Sequence, residues 1–466
     1  MSLIKSISGI RGTIGGKAGD GLTPVDIVKF TTGYGRWLLT TVSNGTKCKV
    51  VVGRDARISG QMVQSIVTST LSALGIDVVC LQLSTTPTVE LAVVWHNANG
   101  GIIITASHNP KQWNALKLLN SSGEFISAAD GEMVLQFAED GQTNYAEVTK
   151  LGKYEEDNGA IEKHIACILE LPMVDVEAIR SKNFRIVVDA VNSVGGIAVP
   201  MLLKSLGVED IIELYCEPTG NFPHNPEPLP ENLVDLSQMV KRKDAHLGIV
   251  VDPDVDRLAF VCEDGEMFGE EYTLVAVADF VLKNKKGNTV SNLSSTRALR
   301  DVTEKAGLQY FASAVGEVNV VEMMKQQNAV IGGEGNGGII LPELHYGRDA
   351  LVGIALFLTH LAKFGKSASV LRHQYPDYHI SKNKIELTPG IDVDAILAAI
   401  QEKYKKHPTS TIDGVKLEFG MEWVHLRKSN TEPIIRIYAE SQSMTMSNNL
   451  ASKIMSDIKE IVQNKK

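Results

Sequence analysis

The chain has 466 residues, which at about 150 residues per domain suggests three domains within a range of two to four. It is 44% apolar and 22% charged, ordinary for a soluble globular protein, and its net charge of -9 argues against a broad nucleic-acid-binding surface. No apolar run approaches the ~18 residues of a bilayer span, the first residues are too polar for a signal peptide, and Cys48, Cys80, Cys167, Cys216 and Cys262 lack both disulfide-framework and zinc-ribbon spacing.

In chain order, the first third alternates strand-like and helix-like stretches. Residues 49–53 read as a strand ending in Arg54-Asp-Ala-Arg57, residues 61–74 as a helix, and residues 77–81 and 101–105 as further strands. The pattern restarts near 184, with strands at 184–189, 210–215 and 246–251, a helix opening at 190–196 and a long ordered loop over 218–232. A third α/β stretch runs from about 258 to 366, with strands at 288–293, 329–332 and 338–341. Such alternation predicts βαβ units with parallel sheets, and three similar blocks suggest a structural repeat. After a linker at 375–378 the tail changes character: antiparallel strands at 414–427 and 433–439, then an amphipathic helix over 447–462 with Leu450, Ile454, Ile458 and Ile461 on one face. The expected domains are therefore 1–150, 151–257 and 258–372, all α/β, and 373–466, α+β.

Four motifs carry chemistry. The apolar Ile102-Ile-Ile104 runs into Thr105-Ala-Ser-His-Asn-Pro110, and ligands of open α/β sheets gather beyond the carboxyl ends of strands. Ser107 beside His108 is a candidate nucleophile or phosphate carrier; alone, the segment reads equally well as a polar turn. Asp252-Pro-Asp-Val-Asp-Arg257 places three carboxylates at alternate positions, where repulsion calls for a cation, and hard oxygen ligands suit Mg²⁺. An EF-hand also opens with such spacing and has Glu263 at its twelfth position, but Arg257 occupies the place of the required glycine. Arg257 would screen phosphate charge. Gly332-Gly-Glu-Gly-Asn-Gly-Gly338 lacks any P-loop spacing, so it reads as a turn or as a loop whose Glu334 and Asn336 bind sugar hydroxyls. Arg427, Ser429, Asn430, Thr431 and Arg436 offer guanidinium forks, hydroxyls and an amide suited to phosphate. Lys117, ten residues past Ser107, is a candidate general acid/base or phosphate counter-ion. His108 more naturally shapes the turn than acts as the main base. Arg11, Arg54, Arg57 and Arg348 could add to a basic pocket.

These four motifs, in this order and across essentially the whole chain, resemble the α-D-phosphohexomutase superfamily. The resemblance implies three related α/β domains and a C-terminal α+β domain of TATA-box-binding-like fold. It implies a phosphoserine at Ser107, Mg²⁺ held by Asp252, Asp254, Asp256 and a phosphoserine oxygen, and an active-site role for Arg11 within Ser8-Gly-Ile-Arg-Gly12. It also implies transfer of phosphate between the 1- and 6-positions of a hexose through a 1,6-bisphosphate. The expected partner is a small-molecule sugar phosphate, with no nucleic acid and no membrane, and the scattered cysteines fit a reducing cytoplasm best. Two departures matter. Pro253 and Val255 replace the glycines common in the metal loop, and Asn336 and Gly338 stand where many members carry Ser and His. The variant is similar to the archaeal-type branch, and the reading leans to glucosamine phosphate, with mannose or glucose phosphate as the alternative. A metal-dependent sugar phosphatase or a non-catalytic sugar-phosphate-binding protein are the competing classes. Hexose preference and oligomeric state are not written in the motifs.

Overall fold

The computed structural model describes residues 2–6, 9–43, 46–387, 391–428 and 434–464. They form two compact units, one of Met1–Thr273 with Asn336–Leu371, the other of Leu274–Gly335 with Arg372–Lys466.

In the first unit a seven-stranded sheet runs in the order Ile4–Ser6, Gly9–Thr13, Trp113–Leu119, Gly100–Ile104, Lys49–Arg54, Asp77–Leu83, Tyr154–Glu156. Side chains alternate across it as a pleat demands. Val50, Val52, Ile102 and Ile104 pack with the helices Pro24–Thr41 and Gly60–Ala73, while Val51 and Ile103 pack with Thr86–Trp95. A parallel sheet was expected, and the strands of the βαβ units are parallel. Trp113–Leu119, however, runs antiparallel to both Gly100–Ile104 and Gly9–Thr13. Its near-continuous burial leaves no period-2 signal, and the polar turn at 105–110 is what reverses the chain. The sheet also reaches past the boundary expected at 150, because Tyr154–Glu156 pairs with Asp77–Leu83.

A second sheet orders Leu258–Cys262, Leu247–Val251, Arg185–Asp189 and Asp210–Leu214. Leu258–Cys262 is antiparallel to Leu247–Val251, so this block too runs past the boundary expected at 257, which cuts a hairpin. Phe260 stacks on Phe357 of the helix Ala350–Phe364 with 3.8 Å between ring centroids.

In the second unit Tyr310–Ser313, Asn288–Asn292 and Ala329–Glu334 form parallel ladders. The tail is an antiparallel sheet of His379–Glu386, Ile434–Ser441, Glu422–Lys428, Val415–Phe419 and Thr409–Ser410. The stretch expected as one strand over 414–427 is a hairpin turning at Gly420, whose φ is 71°. On the helix Met444–Asn464, Ile454 and Ile458 are fully buried in the tail's core. The expected linker is packed: Tyr375 and Tyr378 donate to Asp279 and Asp301. Among the described residues no helix is long and apolar enough to cross a membrane.

Candidate active site

Ser107 sits where the sheet delivers it, just beyond the buried strand Gly100–Ile104. Its φ is +48°, a left-handed conformation uncommon for a residue with a side chain, so the surroundings must hold it. Asp55 and Arg57 do so. Asp55 accepts from Thr105 Oγ1 at 2.7 Å and from Arg57 Nε at 3.0 Å, and Thr105 Oγ1 in turn accepts from Ser107 N at 3.0 Å. The Arg57 guanidinium donates to the carbonyls of Ser107, Asn109, Pro110 and Trp113, clamping both limbs of the turn. Asp55 and Arg57 are fully buried as a pair. Arg54 lies apart, with its Nε on Gln64.

The carboxylate loop caps the hairpin of Leu247–Val251 and Leu258–Cys262. Asp252 Oδ1 accepts from the backbone of Asp256 and Arg257, and Val255 takes φ +63°, strained for a β-branched residue. Asp252, Asp254 and Asp256 are fully buried, and one oxygen of each lies within 4.8 Å of the others. Ser107 Oγ donates to Asp252 Oδ2 at 2.7 Å. Thr86 Oγ1 donates to Asp254 Oδ2 at 2.6 Å, and Lys117 Nζ reaches Asp254 at 2.7 Å and Asp256 at 3.3 Å.

Three buried carboxylates cannot all stay charged beside one another without compensation. Burial, then Asp256 and Asp254, pushes the Asp252 carboxyl well above its usual range. Asp254 is held below it: burial opposes its charge, but the ion pair with Lys117 wins. Lys117 shows the reciprocal effect, its burial outweighed by Asp254 and Asp256 so that its pKa rises. Asp254 Oδ1 and Asp256 Oδ1 are buried without a hydrogen bond. An orphaned pair of hard oxygens beside a serine hydroxyl is a donor set that fits a divalent cation. The EF-hand alternative fails here, since Glu263 accepts from Ser369 N at 3.1 Å and the loop leads into a strand.

Other candidates gather around this centre. His108 Nδ1 lies 3.4 Å from Ser107 Oγ, and burial, with Arg257 nearby, pulls its imidazole down to about 2. A neutral ring suits a shaping role. Arg257 faces Glu227 at 3.7 Å. Arg11 lies opposite Ala115 on Gly9–Thr13, and burial together with Arg257 lowers its pKa. Lys117 lies opposite Ile103, so the antiparallel strand missed in the sequence is what carries it to the carboxylates. Arg348, by sequence one of several arginines, donates from Nη2 to Asp256 Oδ2 at 2.8 Å. Thr86 was not anticipated; nothing but its place at a helix start marks it.

Asn336 Oδ1 accepts from Gly338 N at 3.3 Å. Within the second unit, Glu334 is buried and takes bonds from Asn292 at 2.8 Å and Gly316 at 3.1 Å. Arg427 and Arg436 are directly opposite on adjacent strands, and Lys384 is opposite Arg436 on the next. Directly paired positions share a face, so three cations line up across three strands. Asp413 pairs with Arg427 at 2.7 Å and Glu386 with Lys384 at 3.1 Å. Ser429, Asn430 and Thr431 lie outside the described residues.

Fold and site together define an enzyme of α/β domains that joins a strained serine to a cation-ready carboxylate cluster. Sequence profiles of phosphoglucomutase/phosphomannomutase match in four successive stretches: alpha/beta/alpha domain I over 3–144, domain II over 162–265, domain III over 269–378 and the C-terminal domain over 384–456. A phosphoglucomutase/phosphomannomutase of Thermococcus kodakarensis is 35% identical over 93% of this chain and 94% of its own. A phosphoglucosamine/phosphogalactosamine mutase of Sulfurisphaera tokodaii is 31% identical over the full length of both. The crystal structure of a phosphoglucomutase/phosphomannomutase family protein from Burkholderia thailandensis superposes with a TM-score of 0.84 at 25% identity, covering 98% of each chain. The chain belongs to the phosphoglucomutase/phosphomannomutase family, and it is a phosphohexomutase, an isomerase that transfers phosphate within its substrate.

Proposed function

We propose that this phosphohexomutase converts glucosamine 6-phosphate to glucosamine 1-phosphate in the cytoplasm. The observation that carries the mechanism is Ser107 Oγ at 2.7 Å from Asp252 within the buried carboxylate cluster. Ser107 works as phosphoserine. It gives its phosphoryl group to the free sugar hydroxyl, forming the 1,6-bisphosphate, and takes the other phosphate back. Asp252, Asp254, Asp256 and an oxygen of phosphorylated Ser107 hold Mg²⁺, which when bound neutralises charge on the phosphoryl oxygens. Lys117, Arg257 and Arg11 add fixed positive charge, the main work of such catalysis. Glu334 and Asn336 bind sugar hydroxyls, and Arg427, Ser429, Asn430, Thr431 and Arg436 bind the phosphate that is not reacting. The amino-sugar lean is supported by the name of the Sulfurisphaera relative; the Thermococcus relative's name favours mannose and glucose phosphates as the second reading.

The test has two parts. Intact mass should show about 80 Da on Ser107 in the active enzyme. Isomerisation with Mg²⁺ should then be compared on the 1- and 6-phosphates of glucosamine, mannose and glucose. A clear preference in kcat/KM for glucosamine supports the reading. Comparable rates on mannose and glucose replace it with the second reading, and phosphate release without isomerisation removes both.

A further inference from the structure

Arg348 stands between two residues that the fold pins down. Asp349 Oδ1 caps the helix Ala350–Phe364 by accepting from Leu351 N at 2.8 Å and Val352 N at 3.2 Å. Its Oδ2 faces His164 Nε2 at 2.9 Å and His345 Nε2 at 3.2 Å. The other nitrogen of His345 lies 3.2 Å from Glu90 Oε2 on the helix Thr86–Trp95. On the near side, Gly347 presses its backbone onto the same carboxylate: a Cβ there would sit 1.8 Å from Glu90 Oε2. Ala350 N donates to Val255 O at 3.2 Å, which ties this turn to the carboxylate loop itself.

The pinned turn gives Arg348 one path. Its aliphatic stem crosses the space above Gly338, where a Cβ would lie 2.3 Å from Arg348 Cδ and 3.0 Å from Cγ. Beyond that, the guanidinium meets Asp256. The side chain is nearly buried, and its charge is felt at His108, next to Ser107, and at Lys117. A guanidinium stays charged at all working pH values and matches phosphoryl oxygens with a planar fork.

We propose that Arg348 is a catalytic residue that enters through the space left by Gly338 and binds an oxygen of the phosphoryl group being transferred at Ser107. The absent side chain at 338 and the presence of Arg348 are then one feature: the glycine is there because the arginine passes over it. Arg348 supplies permanent charge and no proton. This rests on phosphoryl transfer at Ser107 and not on which hexose is used.

A double-mutant cycle between Gly338→Ala and Arg348→Ala tests it, read on whichever hexose phosphate the wild-type enzyme isomerises best, with thermal unfolding recorded for each variant. Arg348→Ala should lower kcat by about 10²–10³-fold, as loss of one transition-state donor does, with KM changed by less than about threefold. Gly338→Ala should lower kcat by about tenfold in the wild-type background and have no effect once Arg348 is alanine, a coupling expected only between touching groups. Unchanged kcat in Arg348→Ala, or an equal penalty for Gly338→Ala in both backgrounds, overturns the proposal. Should Arg348→Ala fail to fold, Arg348→Lys against Arg348→Gln decides: the charged variant should be at least about tenfold faster, and equal rates overturn it. Failure of the proposed function would appear separately, as a wild-type enzyme that isomerises no glucosamine phosphate.

Discussion

The carboxylate cluster at Ser107 and the cation row of the C-terminal sheet both crowd like charges, but they hold them differently. Asp252, Asp254 and Asp256 are fully buried, and Lys117, Thr86, Arg348 and backbone N–H groups are aimed at them. In the cation row Arg436 is exposed, and the partners of Arg427 and Lys384 are single carboxylates. A buried charge needs partners whether or not a ligand is bound, because water cannot screen it. An exposed row can wait for its anion in solvent, with repulsion reduced by screening. The proposed function accordingly puts catalysis by fixed charge in the first kind of place and reversible grip on the phosphate in the second.

That contrast can be broken at several points. The largest effect is expected for Ser107→Ala, which removes the proposed phosphoryl carrier. Turnover should fall by at least about 10⁴-fold while the urea midpoint stays near wild type; full activity would end the mechanism. Next is Lys117→Met, which takes the cation from Asp254 and leaves Asp256 with Arg348 alone. Breaking a buried ion pair from one side should destabilise by about 3–5 kcal/mol, measured by urea unfolding in chelator, and added Mg²⁺ should restore part of it. Asp254→Asn should raise the Mg²⁺ concentration for half-maximal activity by at least about tenfold; unchanged metal dependence would remove Asp254 from the ligand set. In the exposed region the response should be milder. Arg436→Ala should raise KM for the sugar phosphate, more at low salt than at high, with stability changed by less than about 0.5 kcal/mol.

The last is a pH dependence. Burial opposes charge on His345, but Asp349 and Glu90 outweigh it and raise the imidazole to about 10. Its folded value lies above the ordinary 6.5, so its contribution to stability is complete below pH 6.5 and is lost as pH rises through about 10. His345→Gln should flatten the decline of unfolding free energy over that window, and an unchanged slope would show that the ring is not charged in the fold.

Much of this was legible in the chain. Ile102-Ile-Ile104 and the polar turn after it marked a strand end, and the alternating aspartates marked a cation loop, because periodicity and charge crowding are local properties. The tail helix was visible through Leu450, Ile454, Ile458 and Ile461 for the same reason. Trp113–Leu119 was not, since burial on both faces erases alternation, and Lys117 was a candidate only through its distance along the chain from Ser107, not through a strand. Arg348 was one arginine among several, and the glycine at 338 looked like a loss.

What the amino-acid sequence determined by itself is which groups are available: a hydroxyl at a strand end, three carboxylates in one loop and arginines near the tail. Only the tertiary structure decided which of them meet. Ser107 and Asp252 are separated by 145 residues, Lys117 and Asp254 by 137, and Arg348 and Asp256 by 92. Such encounters depend on strand order, register and the direction of a turn, and these follow from burying whole faces of sheets rather than from any local run of residues.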